Sequence, residues 1–255
     1  MRFASLGSGS RGNALVVDVG DTRVLVDCGF STRMTVQRLA HLGVDPDSID
    51  AVLVTHEHGD HVGGVARFSA RFSAPVYLTH GTHASLRVAQ AQSADFRLVD
   101  SHQVFSIGGV EVQPYPVPHD AREPVQFVFS DGNRKLGVLT DCGAVTVHVA
   151  GVLQRCDALV IECNHDQNLL ASSSYPPALK QRIRSDYGHL SNAQAASLLS
   201  QVERSRLQHV VAAHLSEENN RPELAASALA EALNCTADWI GVADQVGGFD
   251  WRQVT

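Results

Sequence analysis

The stretch THEHGDHVGG, from Thr55 to Gly64, packs three histidines, an aspartate and a glutamate directly behind the apolar run AVLV. An apolar run that gives way at once to metal-capable side chains implies a strand ending at a polar rim, where a loop carries the chemistry and the sheet beneath stays apolar. His56 and His58 alternate as residues do on an extended segment, so both imidazoles can face one way. Gly59 lets the backbone turn and sends Asp60 and His61 toward a neighbouring point. Two adjacent metal positions follow from this HxHxDH spacing. Imidazole and carboxylate donors favour zinc or manganese, with iron as an alternative.

The same ending recurs along the chain: QPYPVP runs into His119, LGVLT into Asp141 and HVVAA into His214. One such coincidence means little, but together they predict strand ends converging on one rim. A thermolysin-like HExxH helix is excluded, because the histidine after Glu57 comes at His58. A closed structural zinc site would be richer in cysteine.

The 255 residues, 44% of them hydrophobic and 18% charged, can bury a sizeable core and read as one domain over 1–255. No run approaches the roughly 20 apolar residues of a membrane span, and MRFASLGSGS lacks the apolar centre of a signal peptide. The five cysteines form no CxxC pair, so the expectation is a cytoplasmic protein with reduced thiols and no membrane partner. Cys28 and Cys142, each following an aspartate, read as small buried hydrophobes rather than ligands. The net charge of -7 argues against a general nucleic-acid coat. Lys180, Arg182 and Arg184, and Arg67 and Arg71, leave room for a local basic groove, though solvated surface charge is the favoured account of them.

Short β-rich runs such as NALVVDVG, TRVLVDCG, SIDAVLVT, VQFVFSDG and DALVIEC alternate with helical segments. These are TRMTVQRLAHLGV with Thr32 as cap, HVGGVARFSARF, LSNAQAASLLSQV and PELAASALAEAL. NLLASSSYPPALKQ reads as an irregular excursion. The pattern predicts an α/β domain whose sheets pack together under outer helices.

Taken in order, THEHGDHVGG, the His of VPHD, the Asp of LTDCG and the His of AAHLS resemble the signature of the metallo-β-lactamase superfamily. The resemblance implies a four-layer αββα sandwich with a dinuclear metal site at one edge of the paired sheets. It assigns His56, His58 and His119 to one ion and Asp60, His61 and His214 to the other, with Asp141 bridging. Two divalent ions sharing a water lower its pKa toward neutrality and supply a hydroxide nucleophile, and Asp60 becomes a candidate catalytic proton acceptor as well as a ligand. Asp27, closing VLVD, looks like a carboxylate that orients a ligand imidazole.

GHLSN resembles the His-x-Ser/Thr element of the phosphodiesterase branches, including ribonuclease Z. It makes His189 a candidate catalytic residue, with Ser191 or Asn192 capping the following helix and Ser191 a candidate phosphate contact. SLGSGSRGNA, IECNHD, YPPALKQRIRSDYGHLSN and HLSEENN resemble the WalJ (YycJ) group of DNA exonucleases. That likeness implies metal-dependent 5′-to-3′ degradation of DNA, with Ser8, Ser10 and Asn13 offering donors to phosphate; a plain β-turn accounts for the same residues. Hydrolysis of a small phosphodiester or thioester, or processing of RNA, is the alternative. His165 either reaches substrate or braces its loop, and His80 and His83 read as surface or groove residues.

Overall fold

The computed structural model describes residues 1–86 and 94–255. One sheet is built from β1 (Arg2–Gly7), β2 (Ala14–Val19), β3 (Thr22–Val26), β4 (Ala51–Leu53), β5 (Val76–Thr79), β6 (Phe96–Val99) and β14 (Phe249–Gln253). The other comprises β7 (Phe105–Ile107), β8 (Val110–Pro116), β9 (Val125–Ser130), β10 (Lys135–Leu139), β11 (Ala158–Glu162), β12 (His209–Ala213) and β13 (Gly241–Val242). Their orders are β14-β1-β2-β3-β4-β5-β6 and β13-β12-β11-β10-β9-β8-β7. In each sheet an antiparallel half joins a parallel half, at β3 in the first and β10 in the second.

The strands read as unbroken apolar runs because both of their faces are covered. In β2, Leu15, Val17 and Val19 join a core with Phe127, Phe129 and Val160 of the opposite sheet. Ala14 and Val16 turn outward, into a second core with Leu39 and Phe68 from helices Thr32–His41 and Val65–Phe72. Likewise Val160 of β11 faces the other sheet, while Leu159 and Ile161 pack on Val149, Leu198, Leu199 and Leu229 of the helices outside it. Three apolar interfaces separated by two sheets make the four-layer αββα sandwich.

Some local details depart from the sequence-based expectation. Ser31, not Thr32, caps the first helix, its hydroxyl accepting from the Met34 N–H. The excursion after β11 contains two short helices, Gln167–Ser172 and Pro177–Arg184, started by the Asp166 carboxylate and by Pro177 in the first turn. Among the described residues no helix is long and apolar enough to cross a membrane.

Candidate metal centre

The parallel strands deliver their polar residues to one rim. Asp27 follows β3, Thr55 and His56 follow β4 after Val54, Asp141 follows β10 after Thr140, Glu162 ends β11 and His214 follows β12; His119 comes from the β8–β9 loop. Asp27, Asp141 and His214 share an unusual feature, left-handed backbone with φ of 59°, 50° and 54°. For a residue with a Cβ that conformation costs about 1–2 kcal/mol. Its recurrence at three strand exits, all at one rim, marks a place where the packing enforces strain at a functional site.

The HxHxDH loop nests against the segment after β3. The Cys28 N–H donates to His61 O at 2.9 Å, Gly64 N–H to Cys28 O at 2.7 Å and Asn13 N–H to Asp60 O at 2.8 Å. A Cβ on Gly29 would lie 1.7 Å from Asp60 O, and one on Gly64 1.9 Å from Phe30 O, so only glycine permits this approach.

The side chains then converge. His56, His58 and His119 form one cluster and Asp60, His61 and His214 another, each with its donor atoms within 4.8 Å of one another. Asp141 stands between them: its Oδ2 is 3.2 Å from His61 Nε2, and its Oδ1 is 3.5 Å from His214 Nε2 and 3.9 Å from His119 Nε2. His119 Nε2 and His58 Nδ1 lie 3.3 Å apart.

These donors fit divalent ions. His56 Nε2, Asp141 Oδ2 and His214 Nε2 are buried without a hydrogen-bond partner among the described residues. Each such orphan costs about 1–3 kcal/mol unless something satisfies it, and lone pairs facing one another are satisfied by a cation. Burial, reinforced by His61 alongside, holds His56 well below the usual imidazole range and therefore neutral, as ligation requires. Burial works against the charges of Asp60 and Asp141, but the neighbouring histidines outweigh it and keep both carboxyls well below their usual range. Burial also opposes protonated His61 and His214, yet Asp141, with Asp27 for the one and Asp60 for the other, pushes both up, His214 to about 10. Ions entering this site must displace those protons.

Behind the donors three imidazoles have a partner at Nδ1. Asp27 Oδ2 accepts from His61 Nδ1 at 2.8 Å, Thr55 Oγ1 lies 3.0 Å from His56 Nδ1, and His119 Nδ1 donates to Gly188 O at 3.0 Å. Glu162, which sequence reasoning assigned no role, is the hub of the far side. Fully buried, it accepts from the Cys142 N–H at 2.9 Å, the Leu190 N–H at 3.1 Å and His189 Nδ1 at 2.7 Å, and stands 3.3 Å from His214 Nδ1. Its signal was present: ALVIE is another apolar run ending in a carboxylate. Burial disfavours the His189 cation, but Glu162 and Asp141 outweigh it and raise its pKa. His189 borders the groove with Nδ1 committed to Glu162 and Nε2 without a hydrogen-bond partner among the described residues.

The expected phosphate contacts separate. Ser10 is exposed and lines a cavity beside His189. Ser8 is buried, and its hydroxyl accepts from the His214 N–H at 2.8 Å. Asn13 is buried too, accepting from the Gly9 N–H and lying 3.3 Å from Asp60 Oδ2, so both serve the ligand segments. Ser191 has no exposed surface; its hydroxyl belongs to a capping box with Gln194 at the start of helix Asn192–Gln201, which leaves it no open path to a phosphate. His165 braces its loop through its backbone, its carbonyl accepting from the Asn192 N–H at 3.0 Å. His80 and His83 lie in helix His80–Ser85, outside every donor cluster among the described residues. Cys28 and Cys142 are buried, and burial pushes both thiols up to about 12, so neither offers a thiolate. Arg182 stands at the rim, its Nε donating to Asp120 Oδ2 at 2.6 Å.

A sequence model of the Beta-lactamase superfamily domain matches residues 22–214. Over 260 residues the chain is 34% identical to Exodeoxyribonuclease YycJ of Bacillus anthracis, across 100% of this chain and 97% of that one. It is 33% identical over 228 residues to Exodeoxyribonuclease WalJ of Streptococcus pneumoniae serotype 2, across 88% of this chain and 85% of that one. Among solved structures, Zn(2+)-bound PqqB from Methylobacterium extorquens shares the fold, with a TM-score of 0.76 at 19% identity over 99% of this chain and 100% of that one.

Proposed function

The chain belongs to the metallo-β-lactamase superfamily and is a metal-dependent hydrolase, and from that premise we propose that it is a cytoplasmic dinuclear 5′-to-3′ DNA exonuclease. The observation that carries the dinuclear reading is the pair of three-residue donor clusters joined by Asp141. Each cluster takes two donors from the loop after β4 of the first sheet and one, His119 or His214, from the second, which supports reading residues 1–255 as one domain. Zinc or manganese suits the donors. Two such ions, when bound, act as Lewis acids and lower the pKa of a shared water.

The chain's own residues do the rest. Glu162 holds His189 by Nδ1 and favours its charged form, so Nε2 carries the proton that a leaving alkoxide takes. Asp60, a carboxylate of the second donor cluster, is the candidate acceptor of the proton given up by water. DNA as substrate is supported by the two exodeoxyribonuclease relatives and by Arg182 on the rim; a thiolate, a better leaving group than an alkoxide, has less need of an acid at His189. Metal-loaded protein incubated with 5′-labelled single-stranded and duplex DNA is expected to release mononucleotides from the 5′ end. Absence of cleavage with both zinc and manganese, alongside turnover of a thioester or of RNA alone, refutes the reading.

A further inference from the structure

Asp60, His61 and His214 come from both sheets, so an ion held between them needs the two sheets kept in register, to about 0.5 Å. One loop, between β1 and β2, touches all of these donors. The Ser8 hydroxyl accepts from the His214 N–H at 2.8 Å, and Asn13 Nδ2 lies 3.3 Å from Asp60 Oδ2 and 3.1 Å from His61 Nε2. The Asn13 N–H also donates to Asp60 O at 2.8 Å. The side chains of His56, His58 and His119 have their partners elsewhere among the described residues.

The loop does not hold its own shape. Gly9 and Gly12 have φ of 144° and 150°, backbone that glycine enters without strain and leaves as readily. The tip is fastened from outside by the buried Gln245, whose Oε1 accepts from the Arg11 N–H at 2.7 Å and whose Nε2 donates to Gly12 O at 2.9 Å. The fit is close, since a Cβ on Gly9 would lie 2.8 Å from Gln245 Oε1. A side-chain amide is suited to this place because it accepts and donates at once, pairing one N–H and one carbonyl.

Gln245 itself stands on a rigid base. Asp244 and Gly248 exchange both backbone hydrogen bonds at 3.2 Å, and Asp244 Oδ1 accepts from the Val246 and Gly247 N–H groups at 2.7 and 2.6 Å. This turn carries the chain from β13 of the second sheet to β14 of the first. We infer that Gln245 is a positioning residue for the second ion: its amide latches the loop so that Ser8 and Asn13 hold Asp60, His61 and His214 as one set. The inference rests on the dinuclear reading and adds a distant residue that sets the geometry of one ion and not the other.

The test is zinc binding to the full-length protein, followed by competition with a chromophoric chelator, together with amide hydrogen exchange of the metal-free protein. The wild type is expected to bind two ions in two steps, and His58→Ala identifies the step that belongs to the first cluster. Gln245→Met keeps the bulk of the side chain without its hydrogen bonds, and Gln245→Glu keeps the shape but sets an oxygen against Gly12 O. Both variants are expected to weaken the second-cluster step about 10–100-fold, the loss typical of outer partners, and to leave the other step unchanged. In metal-free Gln245→Met the Arg11 amide exchanges faster while the amides of β2 and β11 keep their protection, which a general loss of stability would not allow. Val246→Ser, at an exposed position of the same turn, leaves both steps as they are. If both steps are unchanged, or both weaken equally, in the two Gln245 variants, the inference is overturned while two-ion binding persists. A wild type that binds a single ion sinks the dinuclear reading and the inference with it.

Discussion

Asp27→Asn isolates the contribution of a carboxylate that supports the proposed centre without being one of its ligands. Asp27 Oδ2 accepts from His61 Nδ1 at 2.8 Å, and Oδ1 accepts from the Thr55 N–H at 2.9 Å. Asparagine keeps the size of the side chain and tolerates the left-handed backbone at φ 59°, so little changes except the charge and one acceptor. With its Nδ1 proton given to Asp27, His61 keeps the Nε2 lone pair for an ion. An Asn amide turned toward His61 either faces a second donor or drives the imidazole into the tautomer whose Nε2 bears the hydrogen and cannot ligate. Turned the other way, it opposes the Thr55 N–H. Each orientation leaves one buried donor unpaired, at about 1–3 kcal/mol. At about 1.4 kcal/mol per tenfold this is roughly 5- to 150-fold in affinity, in line with the 10–100-fold typical of lost outer partners. The loss is expected mainly at the ion held by Asp60, His61 and His214. Asp27 reaches His56 only through Thr55 Oγ1, 3.0 Å from His56 Nδ1, so the other ion weakens less. Competition with a chromophoric chelator resolves the two binding steps. Both steps unchanged, or both weakened equally, refutes the reasoning.

His189→Ala is expected to keep both ions, counted by elemental analysis, while kcat falls about 10²–10⁴-fold; Asp141→Ala loses metal, and equal metal loss in the two variants contradicts the assigned roles. Gly29→Ala places a Cβ 1.7 Å from Asp60 O, so the two segments must part, lowering stability by about 2–3 kcal/mol in a denaturant melt and loosening the metal; an unchanged melt shows slack that the packing denies. Burial, only partly offset by Glu162, holds His165 down to about 4. The unfolded chain takes up this proton near pH 6.5 and the folded chain only near 4, so stability that is full above pH 6.5 is lost as pH falls toward 4, by up to about 3 kcal/mol. His165→Gln should remove that slope, and identical pH dependences of unfolding in wild type and variant count against it.

The parts of the molecule that were legible in its sequence are those where residue type is dictated by physics. A strand covered on both faces must be apolar throughout, so β2, β10, β11 and β12 announce themselves. β14 does not, because FDWRQ is half exposed at the sheet edge and its pairing with β1 joins opposite ends of the chain, which no local pattern encodes. The excursion after β11 read as irregular because SSSYPP masks two helices too short to show a period. Ser191 was open to two uses, and burial against the sheet chose the cap.

The candidate site divides along the same line. An ion needs imidazole or carboxylate at each donor position, so the seven candidate ligands stand out by type alone. The atoms that orient those ligands need only accept a hydrogen bond, and four histidines find four different solutions. His61 uses the Asp27 carboxylate, His56 the Thr55 hydroxyl, His119 the Gly188 carbonyl, and His214 a place beside Glu162. A carbonyl has no residue identity to read, and a hydroxyl or carboxylate near a strand end has many innocent explanations. Glu162 is the sharpest case: its role depends on the Cys142 and Leu190 amides, which lie on two other segments and meet only when the sheet assembles. Substituting acceptors one at a time, beginning with Asp27, therefore measures the part of the site that ligand identity leaves open: which imidazoles depend on charge behind them and which need only an oxygen.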